Sequence, residues 1–590
     1  MAAQRKRTIR VLKAALFVIS LHTATAQAQT LYRVTIQQNV RVKMRDGVSL
    51  VADIYHPVSD EKFPVLLQRT PYNRADDPRM ANELASHGYL VVLQDTRGRF
   101  ASGGEFYPFR NESADGFDTV EWAAKLNGSN GRVGMFGGSY VGATQMLAAM
   151  AVPPHLISIF PYVTASEYYN GWTYQSGALM QWFSSSWTSG LAIDTLRRSA
   201  ERAQAPKEWV NKLPLQDYTV LKTPEISQLA PYFRDWLAHE RDDGYWAQWR
   251  VSDHYSQMTV MGLHAGGWHD LFLKGSIKNY TGLHAEAGTA EARAGQRLII
   301  GPWAHAPTSA EGKIGDVVFG KDAVMDTTAE TLKWFDYTLK GIKNEYSSGA
   351  PVRLFIMGNN VWRDEKEFPL ARTRYTKYYL HSTKGANSVG GDGSLSPTAP
   401  ANVEKKDEFA YDPQNPVPTI GGRLCCGQGI PPGPADQRPN ETRADVLVFS
   451  TPPLNEDTEV TGFILLELYA STSAVDTDFT ALLVDVDANG YARFLTDGIV
   501  RARYRESTKQ ASAITPGQVY KYTIDMWATA NVFKAGHRIR LYVSSSNFPR
   551  FDRNLNTGED ILGATRSLKA HQVIYHDREH GSALILPVIK

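Results

Sequence analysis

Arg132-Val-Gly-Met-Phe136 runs directly into Gly137-Gly138-Ser139-Tyr140-Val141-Gly142 and then into the small, apolar stretch Ala143 to Met150. The first segment reads as a short buried strand and the last as a helix, with a glycine-rich turn between them. Such a turn pushes a serine hydroxyl out at the top of a parallel sheet. Small neighbours let the chain reverse sharply, the helix N-terminus adds the positive end of its dipole, and the amide of the next residue points towards a developing oxyanion. Alone the pattern is weak, because 590 residues give roughly 0.2 chance matches to G-x-S-x-x-G at ordinary Gly and Ser frequencies. It also departs from the G-x-S-x-G turn, with Val141 where the second glycine belongs.

A serine hydroxyl is not nucleophilic at neutral pH without a base, and the base needs an acid to orient it. In a parallel-sheet hydrolase the chain order is Ser, then Asp or Glu, then His, each just after a strand. The strand-like run Thr259 to Leu263 leads into His264-Ala-Gly-Gly-Trp-His-Asp270, and Arg297 to Gly301 leads into Pro302-Trp-Ala-His305. Ser139 is therefore predicted as nucleophile, His305 as general base and then acid, and Asp270 as the carboxylate that sets the imidazole tautomer.

Outward from this centre, Val40 to Met44 and Val48 to Ile54 alternate around Asp46-Gly47, which predicts a β-hairpin. Buried-strand runs at Pro64 to Arg69 and Leu90 to Asp95 alternate with helix-like stretches at Asp76 to His87 and Ser113 to Leu126, the pattern of a largely parallel sheet. Between Ala165 and Arg250 the alternation breaks. Tyr168, Tyr169, Trp172, Tyr174, Trp182, Phe183 and Trp187 crowd together there, as in an inserted helical cap whose aromatics form its own core, a ligand surface, or both. After Pro351 strand-like runs dominate, with Gly, Pro and Asn between them, which predicts an antiparallel jelly roll. Gly385 to Pro434, rich in Gly, Pro and Ser, reads as a long surface loop within it. The fold class is thus α/β: a hydrolase domain over 29–164 and 251–350, a cap over 165–250, and an all-β domain over 351–590.

Several motifs in order carry a resemblance. Arg69-Thr-Pro-Tyr72, Asp95-Thr-Arg-Gly98 with Ser102-Gly-Gly-Glu-Phe106, Gly137 to Gly142, Gly266-Gly-Trp-His-Asp270 and Gly301-Pro-Trp-Ala-His305 resemble the CocE/NonD hydrolases. That group includes cocaine-esterase-like enzymes, glutaryl-7-aminocephalosporanic acid acylases, α-amino-acid ester hydrolases and Xaa-Pro dipeptidyl-peptidases. Tyr411-Asp-Pro, Pro416-Val-Pro-Thr and Asp436-Gln-Arg-Pro extend the resemblance into the jelly roll. The resemblance implies the same triad and adds Tyr72, whose phenol would donate to the oxyanion beside the amide of Tyr140. Trp172, Trp182, Phe183 and Trp268 are the expected substrate contacts. The α-amino-acid ester hydrolases hold an ammonium with acids just after the triad aspartate, but here Asp270 is followed by Leu271-Phe272-Leu273. The expected substrate is therefore a small ester or activated amide with an apolar or aromatic acyl group. Xaa-Pro dipeptidyl-peptidase or α-amino-acyl hydrolase activity is the alternative within the family, and a carbohydrate-binding protein with an inactive hydrolase domain the alternative outside it.

Composition narrows the classes of partner. The chain carries 63 basic and 61 acidic residues, and five of the cations lie among the first 28 residues, where there is no acid. The rest is slightly acidic and offers no electrostatic case for nucleic acid or an anionic membrane. The basic cluster, the apolar run Ala14 to Leu21 and the small residues ending at Ala28 read as a secretory signal peptide, residues 1–28, so a periplasmic or secreted protein is expected. In an oxidising compartment the adjacent Cys425 and Cys426 become interesting. Neighbouring Cα atoms sit ~3.8 Å apart, below the ~4.4 Å lower end of ordinary disulfides, so these residues are either a strained vicinal bridge in a tight turn or two free thiols. No cofactor is called for. A zinc site built from His264, His269, Asp270 and His305 is the mechanistic rival, disfavoured because no H-E-x-x-H is present and the serine turn would go unexplained. Asp95, Arg97 and Glu105 are read as structural, and homo-oligomerisation is left open.

Overall fold

The computed structural model describes residues 31–76, 78–195, 211–217, 230–305 and 308–590. The expected signal peptide lies outside the described residues, and none of the described helices is long and apolar enough to cross a membrane.

The first domain is a ten-stranded sheet. Its strands are β1 (Val34–Lys43), β2 (Ser49–Pro57), β3 (Phe63–Thr70), β4 (Leu90–Asp95), β5 (Ser129–Gly138), β6 (Leu156–Tyr162), β7 (Met261–His269), β8 (Gln296–Ala304), β9 (Val352–Ile356) and β10 (Val361–Glu365). They lie in the order β1-β2-β4-β3-β5-β6-β7-β8-β9-β10. From β4 through β9 every neighbouring pair is parallel, while β1, β2 and β10 pair antiparallel at the edges. Parallel strands covered on both faces need apolar residues at successive positions, and β4, Leu-Val-Val-Leu-Gln-Asp, is buried throughout. Period-two alternation then sends Leu66 and Phe136 into one core and Val65, Leu67, Val133 and Met135 into the other. Helices α1 (Pro78–Ser86), α2 (Glu112–Ala123) and α3 (Tyr140–Met150) make the crossovers.

The cap enters between β6 and β7. Its described part contains α4 (Gln181–Thr195) and α5 (Pro231–Ala238). Trp172, Trp236 and Trp246 are fully buried in it. Helices α6 (Leu273–Glu286) and α7 (Thr327–Thr338) return the chain to the sheet. The C-terminal half forms an eleven-stranded, mostly antiparallel assembly that shares a core with one face of the first sheet. The halves are also joined by ion pairs: Glu240 of the cap meets Arg503 at 3.0 Å, and Lys274 meets Asp525 at 2.7 Å.

Two expectations about the second half need correction. The first sheet does not end near residue 350, because Val352–Ile356 pairs parallel with β8 and Val361–Glu365 folds back on it. A short strand buried at four of five positions has no period that separates it from the jelly-roll strands that follow. Nor is Gly385 to Pro434 only a surface loop. It contains strands Ser394–Ser396 and Asp407–Tyr411, the latter burying Phe409 and Tyr411, and its Arg423, Leu424 and Cys425 are buried. Glycine and proline content hid a chain that is irregular but packed.

One buried histidine ties this region together. His576 Nε2 lies 3.0 Å from Asp407 and its Nδ1 3.2 Å from Glu404, while Ser382 donates to Asp407 at 3.0 Å. Burial works to lower the imidazole pKa, but the two carboxylates prevail and the net shift is upward. A raised folded pKa contributes stability fully present below the unfolded value of ~6.5 and lost as pH rises through the folded value. His576→Gln should therefore cost about 1–3 kcal/mol in urea unfolding at pH 6, with the gap to wild type narrowing by about pH 9. A gap independent of pH would contradict this linkage.

Candidate active site

The turn after β5 is formed as its glycines require. Gly137 has φ 130°, and a Cβ there would lie 2.3 Å from Val141 Cγ1; a Cβ on Gly138 would lie 2.2 Å from the Tyr162 ring. Ser139 itself takes φ 60°, ψ −127°, a region L-residues avoid at a cost of about 1–3 kcal/mol. Its backbone is held from three sides. The amide donates to the Tyr162 carbonyl at 3.0 Å, and the carbonyl accepts from the Ala143 amide at 3.0 Å and the Thr164 hydroxyl at 2.8 Å. Buried Gln145 donates to the Gly137 carbonyl at 2.9 Å.

Asp270 and His305 follow the carboxyl ends of β7 and β8. The Phe272 amide donates to Asp270 Oδ1 at 2.6 Å, which leaves Oδ2 to meet His305 Nδ1, also at 2.6 Å. His305 Nε2 lies 3.0 Å from Ser139 Oγ. Asp270 is fully buried, His305 nearly so, and Ser139 half-buried. With Nδ1–H donated to the carboxylate, Nε2 is left as the acceptor for the serine proton.

Tyr72, in the loop after β3, also reaches this point. Its hydroxyl accepts from Trp187 Nε1 at 2.9 Å and lies within hydrogen-bonding reach of the Ser139 side chain and the Tyr140 amide. Because the indole occupies an acceptor position, the phenolic proton remains available for donation, and burial raises the phenol pKa, keeping that proton on. The Tyr140 amide is fixed through its own side chain, which accepts from the Phe109 amide at 2.9 Å and donates to Glu112 at 3.0 Å. Glu112, whose pKa burial raises, pairs with the buried Arg69 at 2.6 Å.

The expected substrate contacts divide. Trp172 stacks on Phe272 at 4.4 Å and Phe183 meets the same ring at 5.3 Å, while Phe272 stands edge-on to His305 at 5.2 Å. These rings form an apolar cluster beside His305. Trp182 does not join them: it packs with Leu424 and Phe548 of the C-terminal domain, because one step along a helix turns a side chain through ~100°. Trp268 is also corrected. Its indole donates to the Phe355 carbonyl at 2.7 Å and lies in the core shared with the C-terminal domain. Its partners are Phe355 and Phe368, not the cap aromatics, although by strict alternation along β7 it would leave the core that holds Leu263 and Ala265.

The zinc reading finds no donor set: among the described residues no three His, Cys, Asp or Glu side chains are arranged to hold a metal ion. His264 pairs with Gln296 at 2.9 Å, its pKa brought down to about 4 by burial. His269 is packed near Phe319 and Phe494, its pKa pushed well down by burial and then by Arg423 and Arg493. Asp95 and Arg97 do not pair with each other. Asp95 takes Arg74, and Arg97 takes Asp115 at 2.6 Å and Asp46 at 2.7 Å; Glu105 is exposed. Cys425 and Cys426 are joined as a vicinal disulfide.

Both halves of the chain have relatives among known proteins. Residues 46–307 match the family model described as X-Pro dipeptidyl-peptidase (S15 family), and residues 344–585 match that of the X-Pro dipeptidyl-peptidase C-terminal non-catalytic domain. The cocaine esterase of Rhodococcus sp. (strain MB1 Bresler) is 39% identical over 578 residues, 94% of this chain and 99% of that protein. The chain belongs to the CocE/NonD family of hydrolases. Two solved structures share the fold of this CocE/NonD hydrolase. An aminopeptidase from the marine sediment archaeon Thaumarchaeota archaeon superposes with a TM-score of 0.78 at 24% identity, covering 98% of this chain and 99% of that one. An α-amino acid ester hydrolase gives 0.77 at 24% identity, with coverage of 98% and 100%.

Three contributors to the site had not been assigned from the sequence. Trp187 was legible only as one aromatic among many, and Phe272 only as a non-acidic neighbour of Asp270. Glu112 carried no signal, since its partner Arg69 lies 43 residues away. Removing one member of a buried ion pair leaves the other charge stranded. Glu112→Ala in this hydrolase should cost about 3–5 kcal/mol in urea denaturation, and Glu112→Gln, which keeps an acceptor for Tyr140, less. Equal losses for the two would show that the acceptor for Tyr140 is immaterial and that the lost charge accounts for the whole effect.

Proposed function

We propose that the chain is an exported serine esterase that cleaves small esters or activated amides with apolar or aromatic acyl groups through a covalent acyl-enzyme. The observation that carries this reading is the continuous hydrogen-bond line Ser139–His305–Asp270, at 3.0 and 2.6 Å, flanked by Trp172, Phe183 and Phe272. Ser139 Oγ attacks the acyl carbon as its proton passes to His305 Nε2, and the negative charge moves to the former carbonyl oxygen. Asp270 holds the imidazolium in place, and the Tyr140 amide with the Tyr72 phenol donates to the oxyanion. Collapse expels the alcohol or amine with the proton from Nε2. Water then repeats the sequence on the acyl-enzyme, releasing the acid and free Ser139.

The apolar residues after Asp270 and the aromatic flank support neutral or aromatic acyl groups over α-amino acyl groups. The p-nitrophenyl acetate, butyrate and benzoate series tests this: turnover should be blocked by a serine-directed inhibitor and abolished by Ser139→Ala. Full turnover by that variant would refute the assignment. Tyr72→Phe should lower kcat by ~10²–10³ with little change in KM, and a fully active variant would remove Tyr72 from the oxyanion site. Export through residues 1–28 predicts that the mature protein begins at Gln29, which its intact mass will read.

A further inference from the structure

The loop carrying the vicinal disulfide belongs by sequence to the C-terminal domain, yet it ends against the cap. Gly422 and Gly433 exchange backbone hydrogen bonds of 2.7 and 2.8 Å that close its neck, and the Arg423 carbonyl accepts from Arg550. Leu424 packs with Trp182. At Gly427 the approach to α4 is so close that a Cβ would lie 2.4 Å from the Trp182 indole and 2.7 Å from Ser186 Oγ. Trp182 and Ser186 share one face of α4. The adjacent face carries Phe183, which packs on Phe272 beside His305, and Trp187, which donates to the Tyr72 hydroxyl. The loop therefore backs the helix that supplies both the aromatic flank and the partner of the oxyanion phenol. Arg423 is buried two residues before the disulfide and pairs with Asp497 at 3.3 Å.

The two half-cystines differ in surroundings. Cys425 is buried, within the same core as Trp172, Phe183 and Phe272, whereas Cys426 is exposed. Cys426 also sits at φ 71°, in the left-handed region that disfavours any residue but glycine. The bond thus links an exposed residue to the buried flank of the site through a single turn.

We propose that Cys425–Cys426 is a thiol–disulfide exchange site for small thiols and dithiols, and that its redox state sets the seating of α4 and with it the hydrolysis of bulky acyl groups. The effect on hydrolysis rests on the serine esterase reading above. An external thiolate attacks Cys426 Sγ, forming a mixed disulfide and expelling Cys425 as a thiolate that takes up a proton. A second thiol then attacks the external sulfur of the mixed disulfide, leaving Cys426 as a thiol. In sum two external thiols become one disulfide, and the cysteines gain two electrons and two protons. Burial disfavours the Cys425 thiolate and makes it a poor leaving group, so a dithiol that resolves the intermediate intramolecularly is the effective reductant. Once open, the turn no longer needs its constrained backbone, and the face of α4 carrying Trp182 and Ser186 loses a fixed support.

The test treats the whole folded enzyme with dithiothreitol and follows three readouts. Iodoacetamide labelling under native conditions should rise from none to both cysteines. Amide hydrogen exchange should increase across Gln181–Thr195. The kcat/KM for p-nitrophenyl benzoate should change at least about fivefold relative to that for p-nitrophenyl acetate and return on reoxidation with oxidised glutathione. The double variant Cys425→Ala/Cys426→Ala should match the reduced enzyme and ignore dithiothreitol; if it does not fold, the wild-type measurements stand alone. Absence of labelling after dithiothreitol overturns the proposal, as does full labelling with unchanged exchange in α4 and an unchanged ester ratio. A serine-directed inhibitor keeps the two readings apart. If it labels Ser139 and turnover ignores the redox state, only the switch fails. If Ser139 is unreactive while α4 still responds to reduction, the exchange site stands and the esterase reading fails.

Discussion

A serine held at φ 60° is the constraint around which this protein is built. The conformation costs about 1–3 kcal/mol and persists only where the surroundings over-determine it. Here the β6 carbonyl of Tyr162, the Thr164 hydroxyl and the first turn of α3 each take one backbone group of Ser139. The parallel sheet explains why the other groups arrive at the same place. β3, β5, β7 and β8 run in one direction, so the loops after them emerge at one edge and bring Tyr72, Ser139, Asp270 and His305 together.

Around that edge the molecule uses burial and charge in different ways. On the cap side, Trp172, Phe183, Trp187 and Phe272 pack against one another and give His305 an apolar flank, and a polar interaction in apolar surroundings is stronger than the same one in water. Beneath Ser139, Arg69, Glu112 and the Tyr140 phenol form a buried polar chain that fixes the amide of Tyr140. Such a chain contributes less to net stability than to geometry, since desolvation offsets much of its attraction. The C-terminal domain adds a third wall through the 421–433 loop, placing Cys425 in the core of Phe183 and Phe272 and Gly427 against α4. The site is therefore assembled from three portions of the chain, and the all-β half is part of its frame.

Ser139, Asp270 and His305 were legible because each stands after a short apolar run, in an order a parallel sheet allows, with glycines where a sharp turn needs them. Tyr72 needed family resemblance, since a tyrosine after a strand has no local signature of its own. Trp182 and Trp268 were misplaced for a related reason. Residue type announces an aromatic surface, but the ~100° step along α4 and the long-range packing of Trp268 on Phe355 and Phe368 decide which core receives each ring. The disulfide could be posed from adjacency alone, whereas its position beside the cap could not.

The amino-acid sequence by itself determined the alternation of buried strands and helices, the strained turn, the chemical identity of the three converging side chains and the all-β character of the second half. These follow from local sterics and from apolar periodicity, which act between near neighbours. Only the tertiary structure decided that β9 and β10 complete the first sheet, that Trp187 occupies the Tyr72 hydroxyl, that Glu112 balances Arg69, and that the Cys425–Cys426 turn rests on the cap. Those pairings join residues tens to hundreds of positions apart. They arise because buried polar groups must find partners and apolar faces must be covered, and which partner serves is settled by packing.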